Sequence, residues 1–373
     1  MREEVGLTSP PTETLRHLVG RGVRYSSRPL TRSRSFQFLS ACRPDIVNLV
    51  KGAMIYRRTG TSPESAYQSM INLHCRTQGY SNDILAWLVS MKHRPVAFPN
   101  ADGVLGNLTR ADLAGITNEI QQNGYYIFPR LLSADVCERL VEFALTAECT
   151  PSPQAAPVGL PNIYHRDQPV ADIYKFDEQT LLDHPDVQKL ISDHSILSLA
   201  QSYLASPPIL DIVTMWWSTA FSREASVDAA QLYHFDMDRI RWLKIFFYLT
   251  DVTPTNGPHC YVAKSHKRKG QPLSLLKRGY ARIPDEDIAG YYQDDDIKEI
   301  TGPRGTMFVA DTRGFHKGMP ISNGDRLLLQ FEFTSSLFGG AYTKAHLKNN
   351  YDVHLLALAE RYRRVYSKFI VNE

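Results

Sequence analysis

Hydrophobic and polar positions along this chain change their period near its middle, from helical spacing to short alternating runs. From about Ser35 to Lys92, Phe38, Leu39, Ile46, Val47, Val50, Met54 and Ile55 recur at helix-like intervals. Ser62-Pro63-Glu64-Ser65 has the composition of a helix start and opens a segment through Met70 and Leu73. Ser81-Asn82-Asp83 opens another through Leu85, Leu88 and Met91. His93 to Gly106, with Pro95, Pro99, Gly103 and Gly106, reads as a linker, with a boundary expected near residue 105. A helix capped at Thr109 should run to Asn123, where Gly124 stops it before the strand Tyr125-Tyr126-Ile127-Phe128. Ser133 caps a further helix to about Ala147, Pro151 to Pro161 is a Pro/Ala-rich loop, and Pro185 to Leu204 is helical.

Beyond Leu204 the runs are β-branched and aromatic: Ile209–Phe221, Gln231–Phe235, Leu243–Thr250, Cys260–Ala263, Thr306–Ala310 and Leu327–Thr334. Turns such as Thr255-Asn256-Gly257-Pro258 and Asn323-Gly324-Asp325 punctuate them. Helices followed by many short strands predict an α+β chain built on a double-stranded β-helix, the jelly-roll or cupin-like core, with helices outside. The expected organisation is a helical N-terminal region (1–105), a jelly-roll domain (106–340) and a C-terminal helix packed on the core (341–373). That helix, Tyr351 to Phe369, would carry Leu355, Leu356, Leu358, Tyr362 and Val365 on its apolar side.

Composition narrows the function classes. A formal charge of +3 over 373 residues is not the dense basic face of a nucleic-acid binder. The arginines of the first third are spread out, which suits a solvated or domain-facing surface. The five cysteines, Cys42, Cys75, Cys137, Cys149 and Cys260, are odd in number and far apart, and fit a reducing compartment rather than a disulfide framework. No apolar run reaches the roughly 18–20 residues of a membrane span. The first residues lack the apolar stretch of a secretory signal, and Glu3, Glu4 and Glu13 weaken the transit-peptide look of Arg21 to Ser35. The cytoplasm is the expected location, with neither membrane nor nucleic acid as partner.

The chemistry gathers around His234-Phe235-Asp236, at the end of an expected strand. Residues two apart on a strand share a face, so imidazole and carboxylate can grip one metal ion. A second histidine from a later strand, His316, completes two histidines and one carboxylate. Such a set leaves half of an octahedron open, as non-haem Fe(II) oxygenases require. Arg326 opens the next apolar strand and can receive the far carboxylate of an iron-chelating 2-oxoglutarate with two parallel hydrogen bonds. A short H-x-D arises by chance, and His165-Arg166-Asp167 is a decoy with Pro169 close behind and no strand around it. Asp238 lies on the same alternation as Asp236 and is a rival carboxylate.

Residues from about 108 to 337 resemble the phytanoyl-CoA dioxygenase family of Fe(II)/2-oxoglutarate oxygenases. The resemblance rests on Gln121 to Ser133, on His234-Phe235-Asp236, and on Phe247-Tyr248-Leu249-Thr250-Asp251-Val252-Thr253-Pro254-Thr255-Asn256-Gly257-Pro258. It extends through Ala263-Lys264-Ser265-His266-Lys267, His316 and Arg326. It implies Fe(II), 2-oxoglutarate as cosubstrate and O2, with a small-molecule substrate, free or linked to a carrier or CoA. His234, Asp236 and His316 would be both the metal ligands and the catalytic centre, and Arg326 would bind the cosubstrate. Some members place a hydroxyl residue two after the distal histidine, where this chain has Gly318, so another donor is needed. Lys244 and Tyr248, on one face of their strand with Trp242 and Phe246, are the candidates. Lys264 stands where the family's Gly-Ser-His corner has glycine. Related halogenases replace the carboxylate with a small residue, so Asp236 favours hydroxylation or another oxidation without halide.

Each assignment has a plainer counterpart. The histidines could be hydrogen-bonded barrel residues, Arg326 could pair with Asp325 or Glu332, and Lys244 could reach solvent. His259 and His266 read as turn residues, Tyr174 and Lys175 are pocket guesses, and either Trp216 or Trp217 should face the pocket. The rival functions are a jelly-roll binding module without catalysis and a metal-dependent dioxygenase that does not use 2-oxoglutarate.

Overall fold

The computed structural model describes residues 34–152, 162–222 and 230–371. The chain divides into two compact units, Met1–Ala41 and Cys42–Glu373, and among the described residues every strand lies in the second. The Arg/Ser-rich stretch at the start and most of the expected Pro/Ala-rich loop lie outside the described residues.

Helices lead, as the periodicity predicts: α1 (Arg34–Thr59), α2 (Glu64–Thr77), α3 (Tyr80–Lys92) and α4 (Arg110–Asn123). Thr109 and Asp112 cap α4 reciprocally, each side chain accepting the other's backbone N–H. Next come β1 (Tyr125–Ile127), α5 (Ala134–Thr146), β2 (Thr150–Ser152), β3 (Ile173–Lys175) and α6 (Glu178–Leu182). The expected helix from Pro185 to Leu204 is two, α7 (Pro185–Ile191) and α8 (His194–Leu204). Asp193 separates them, because its carboxylate accepts from Ile196 N and so starts a new helix. The barrel strands are β4 (Ile209–Thr219), β5 (Trp242–Tyr248) and β6 (His259–Val262). After helices α9 (Leu273–Leu276) and α10 (Asp285–Ala289) come β7 (Ile297–Ile300), β8 (Met307–Ala310), β9 (His316–Gly318) and β10 (Asp325–Thr334). The chain closes with β11 (His346–Leu347), α11 (Val353–Arg361) and β12 (Ile370–Val371). The C-terminal helix is thus shorter than expected. Past Arg361 the chain continues in turns, with Val365 N bonding back to Tyr362 O.

The strands form a seven-stranded sheet, β1-β8-β5-β10-β4-β3-β2, a three-stranded sheet, β7-β6-β9, and a two-stranded one, β11-β12. Alternation along β5 shows how they stack. Leu243, Ile245 and Phe247 face the large apolar core shared with the outer helices, while Phe246 and Tyr248 face inward. There they meet Tyr261 of β6 and Ile300 of β7. Two antiparallel sheets facing across a packed interior, with helices behind one of them, are the double-stranded β-helix that the sequence predicts.

Two segments read differently from their patterns. The run Gln231–Phe235 is not a continuous strand: Tyr233 and His234 make single bridges, to Ile283 and His316. The stretch from His93 to Gly106 lacks helix and strand but is strapped to α8, with Val96 and the Gln201 amide exchanging two hydrogen bonds and Leu105 N donating to Ser195.

Helices α2 and α3 hold the segment between β4 and β5. The ring of His74 stacks on Phe235 at 5.8 Å, and the buried Asn82 amide donates to Ile240 O at 3.0 Å. Asp83 bonds Arg313 at 3.1 Å, fastening the turn that leads into β9. By contrast Ile46, Val47, Val50, Met54 and Ile55 of α1 are exposed, so that helical stripe is not a core face here.

Candidate metal centre

Backbone pairing places the two histidines opposite each other. His234 N donates to His316 O at 3.0 Å and His316 N to His234 O at 2.9 Å. Asp236 N, two residues on, donates to Thr312 O at 2.8 Å. One ligand atom from each of His234, Asp236 and His316 lies within 4.8 Å of the others, and all three residues are buried. His316 Nε2 is 3.5 Å from Asp236 Oδ2 and His234 Nε2 is 3.8 Å from Asp236 Oδ1.

Tautomers follow from the hydrogen bonds. His234 Nδ1 lies 3.0 Å from Leu232 O, and His316 Nδ1 lies 2.9 Å from Gly314 O. A carbonyl can only accept, so each Nδ1 carries the hydrogen and each Nε2 keeps its lone pair toward the carboxylate. Burial lowers both imidazoles, His234 to about 3, so both are neutral near pH 7. Burial alone would raise Asp236, but the ammonium of Lys244 holds it ionised, well below the usual carboxylate range. Two neutral nitrogen donors and one carboxylate fit a divalent iron, and the bonds that aim them are already made.

The corner Lys264-Ser265-His266 serves this site indirectly. Ser265 Oγ accepts from Phe315 N at 2.8 Å and donates to Val262 O at 2.6 Å, locking the residue before His316. A Cβ on Gly314 would meet Tyr261 Oη at 2.2 Å and Ser265 Oγ at 2.7 Å, so only glycine lets this strand approach. Lys264 has φ +65°, a left-handed position that favours glycine.

A cavity of about 180 Å³ opens beside the three donors. Arg326 lines it, fully buried, with Nη1 donating to Gly257 O and Nη2 to Ser218 Oγ at 3.2 Å. Its Nε has no partner, and it pairs with no carboxylate among the described residues. Asp325 instead pairs with Arg166 at 3.0 Å and Glu332 with Lys244 at 3.5 Å. A buried guanidinium without an anion is costly, and an entering carboxylate would relieve that cost.

The other expected residues fall variously. Lys244 lines the cavity, but its ammonium is 2.6 Å from Asp236 Oδ2. Tyr248 does not reach the cavity wall: its hydroxyl donates to Ile300 O at 2.8 Å and accepts from His259 N at 2.9 Å. Gly318 lines the cavity and Trp216 faces it, whereas Trp217 turns outward and donates to Ala144 O. The decoy residues His165 and Asp167 are exposed in a turn. Asp238 is raised by burial and by Asp236, and it is not one of the three clustered donors. His266 is a turn residue as read, bonded to Gln121 O. His259 is not: it opens β6, is buried and lines the cavity. Reading the β6 run as starting at Cys260 missed it by one residue. The signal was alternation with Tyr261, whose inward face His259 shares. Gln330 and Thr214, opposite each other on β10 and β4, were also missed, although Gln330 continues the alternation Arg326, Leu328, Gln330.

No helix among the described residues is long and apolar enough to cross a membrane. No match was found among curated proteins. Among solved structures the chain is similar to the non-heme alpha ketoglutarate dependent carbocyclase SnoK from nogalamycin biosynthesis, at 16% identity. That match covers 64% of this chain and 87% of SnoK, with a TM-score of 0.41. HygX from Streptomyces hygroscopicus, with nickel and 2-oxoglutarate bound, matches at 17% identity over 65% of this chain and 91% of its own, with a TM-score of 0.43. EctD from S. alaskensis matches at 17% identity over 65% and 80%, with a TM-score of 0.44. The model of the family Phytanoyl-CoA dioxygenase (PhyH) matches residues 120–327, more than half of the chain. The protein therefore belongs to the phytanoyl-CoA dioxygenase family, non-haem iron oxygenases that work with Fe(II), 2-oxoglutarate and O2.

Proposed function

We propose that this oxygenase hydroxylates a small-molecule substrate, with His234, Asp236 and His316 as iron ligands and Arg326 as the seat of 2-oxoglutarate. The observation that carries this reading is the convergence of three buried donors beside a buried arginine that has no carboxylate of its own. Bound there, the metal would supply O2 activation coupled to decarboxylation of 2-oxoglutarate to succinate and CO2. The protein's own work is to present two Nε2 lone pairs and a carboxylate, to receive the distal carboxylate on Arg326, and to exclude water. Asp236 at the carboxylate position supports hydroxylation over halogenation, because it leaves no ligand position for a halide.

The inward face of β4 continues from Trp216 to Thr214 and Ile212, which line a second hollow of about 460 Å³ with Lys175 and Phe176. Thr214 Oγ1 is buried without a partner among the described residues. We assign the substrate, CoA-linked, carrier-linked or free, to this side of the site, where Lys175 lies beside the carboxylates of Asp177 and Glu178. Five free cysteines support a cytoplasmic location.

The test is an anaerobic titration with Fe(II) and 2-oxoglutarate, followed by the weak visible charge-transfer band of the chelate. Wild type should develop the band, His316→Ala should lose it, and Arg326→Ala should need far more cosubstrate. A folded, iron-loaded wild type without the band would overturn the reading and favour a binding module.

A further inference from the structure

We infer that His259 is a second cosubstrate-binding residue, donating a hydrogen bond from its imidazole to the distal carboxylate of the 2-oxoglutarate held by Arg326. The inference rests on the proposed oxygenase function. His259 is 6% exposed, lines the cavity of the metal donors, and stacks on His316 with ring centroids 5.5 Å apart. Its ring makes no hydrogen bond among the described residues, and Nε2 is buried with no partner. A buried imidazole of this kind costs stability unless a ligand completes it.

Position says which ligand. Arg326 donates to the carbonyl of Gly257, two residues before His259, so guanidinium and imidazole stand at one end of the cavity. His259 pairs across the sheet with Gly318, and a Cβ on Gly318 would lie 3.7 Å from Arg326 Nη2. A carboxylate on Arg326 keeps lone pairs that the guanidinium does not reach. Of the other lining residues Ile173, Phe246 and Leu328 offer no donor, Gly318 has no side chain and Lys244 is bound to Asp236, while the donors Trp216 and Gln330 sit two and four residues along the β4–β10 pair from Arg326, opposite Leu328 and Thr214. Tyr248 holds the strand in place by accepting from His259 N, which leaves the ring free to face the cavity.

The experiment compares 2-oxoglutarate with 2-oxopentanoate, which chelates the metal alike but lacks the distal carboxylate. Binding of each to the Fe(II) protein is read anaerobically from the charge-transfer band. His259→Phe should weaken 2-oxoglutarate about tenfold, the scale of one hydrogen bond to a charged group, and leave 2-oxopentanoate unchanged. His259→Gln, which keeps a donor, should stay close to wild type. Gly318→Ser added to His259→Phe should recover most of the loss, because ordinary contact distance at Gly318 leaves room for a hydroxyl. Unchanged 2-oxoglutarate binding in His259→Phe, or equal weakening of both ligands, would overturn the inference while the band in wild type upholds the proposed function. Should the Phe variant fail to fold, His259→Leu against His259→Gln gives the same comparison. A wild type without any band overturns both readings.

Discussion

Lys244 Nζ stands 2.6 Å from Asp236 Oδ2, so the carboxylate expected to bind metal is already neutralised by a buried ammonium. The same ammonium is 3.5 Å from Glu332, which burial pushes well above the usual carboxylate range. One lysine therefore compensates the charge of Asp236 and lies beside a Glu332 carboxyl that burial keeps protonated, while Oδ1 of Asp236 stays toward His234.

Lys244→Met should leave Asp236 as a buried anion without that compensation. The metal-free variant should be destabilised by about 3–5 kcal/mol. A divalent metal should then restore more stability to it than to wild type, since the ion takes over the neutralising role. Thermal unfolding of both proteins with and without Ni(II) checks this; equal metal shifts would show that Lys244 does not compensate Asp236.

Acid should weaken the metal-free fold through its buried histidines. Burial, aided by Arg313, lowers His74 to about 4 against an ordinary value of 6.5. The unfolded chain therefore takes up the proton first, and the stability this group contributes above pH 6.5 is lost as pH falls toward 4. Between pH 7.5 and pH 5 the loss from His74 alone should be about 2 kcal/mol. His74→Phe keeps a ring on Phe235 and should flatten that part of the dependence, as read from urea unfolding in the presence of a chelator.

Asn82 tests how far the helices support the chemistry. Its amide satisfies the carbonyl of Ile240, four residues beyond Asp236. Asn82→Ala should cost about 1–3 kcal/mol by leaving a buried carbonyl without its donor. Metal affinity should fall as well, because the segment carrying two of the three donors loses an anchor. Isothermal titration with Mn(II) beside urea unfolding separates the two effects.

Lys264→Gly should stabilise the protein by about 1 kcal/mol, because a side chain at φ +65° bears a steric cost that glycine lacks. The Ser265 bonds that hold Phe315 should survive, so 2-oxoglutarate binding should not change. A lower unfolding midpoint for Lys264→Gly would show that the lysine side chain outweighs its strain.

What the sequence determined by itself is the local part of this design. Period-two alternation separates Leu243, Ile245 and Phe247 from Lys244, Phe246 and Tyr248, whereas His234 and Asp236 meet on a segment that is not the strand the pattern predicts. Helical spacing predicts α2 and α3, and Asn123-Gly124 ends α4. These features come from backbone geometry within a few residues, which any short stretch of chain carries. Tertiary structure alone decided which partners meet. Tyr248 and His259 sit eleven residues apart, yet one hydroxyl ties them together, and it leaves His259 rather than Tyr248 at the cavity. Lys244 was placed on the correct face, but only the approach of Asp236 from another segment shows what its charge answers. The stacking of His74 on Phe235 joins residues far apart in the chain, with no local pattern to announce it. Side-chain direction is written in the strand; the identity of the group at the far end is set by how sheets and helices close on one another.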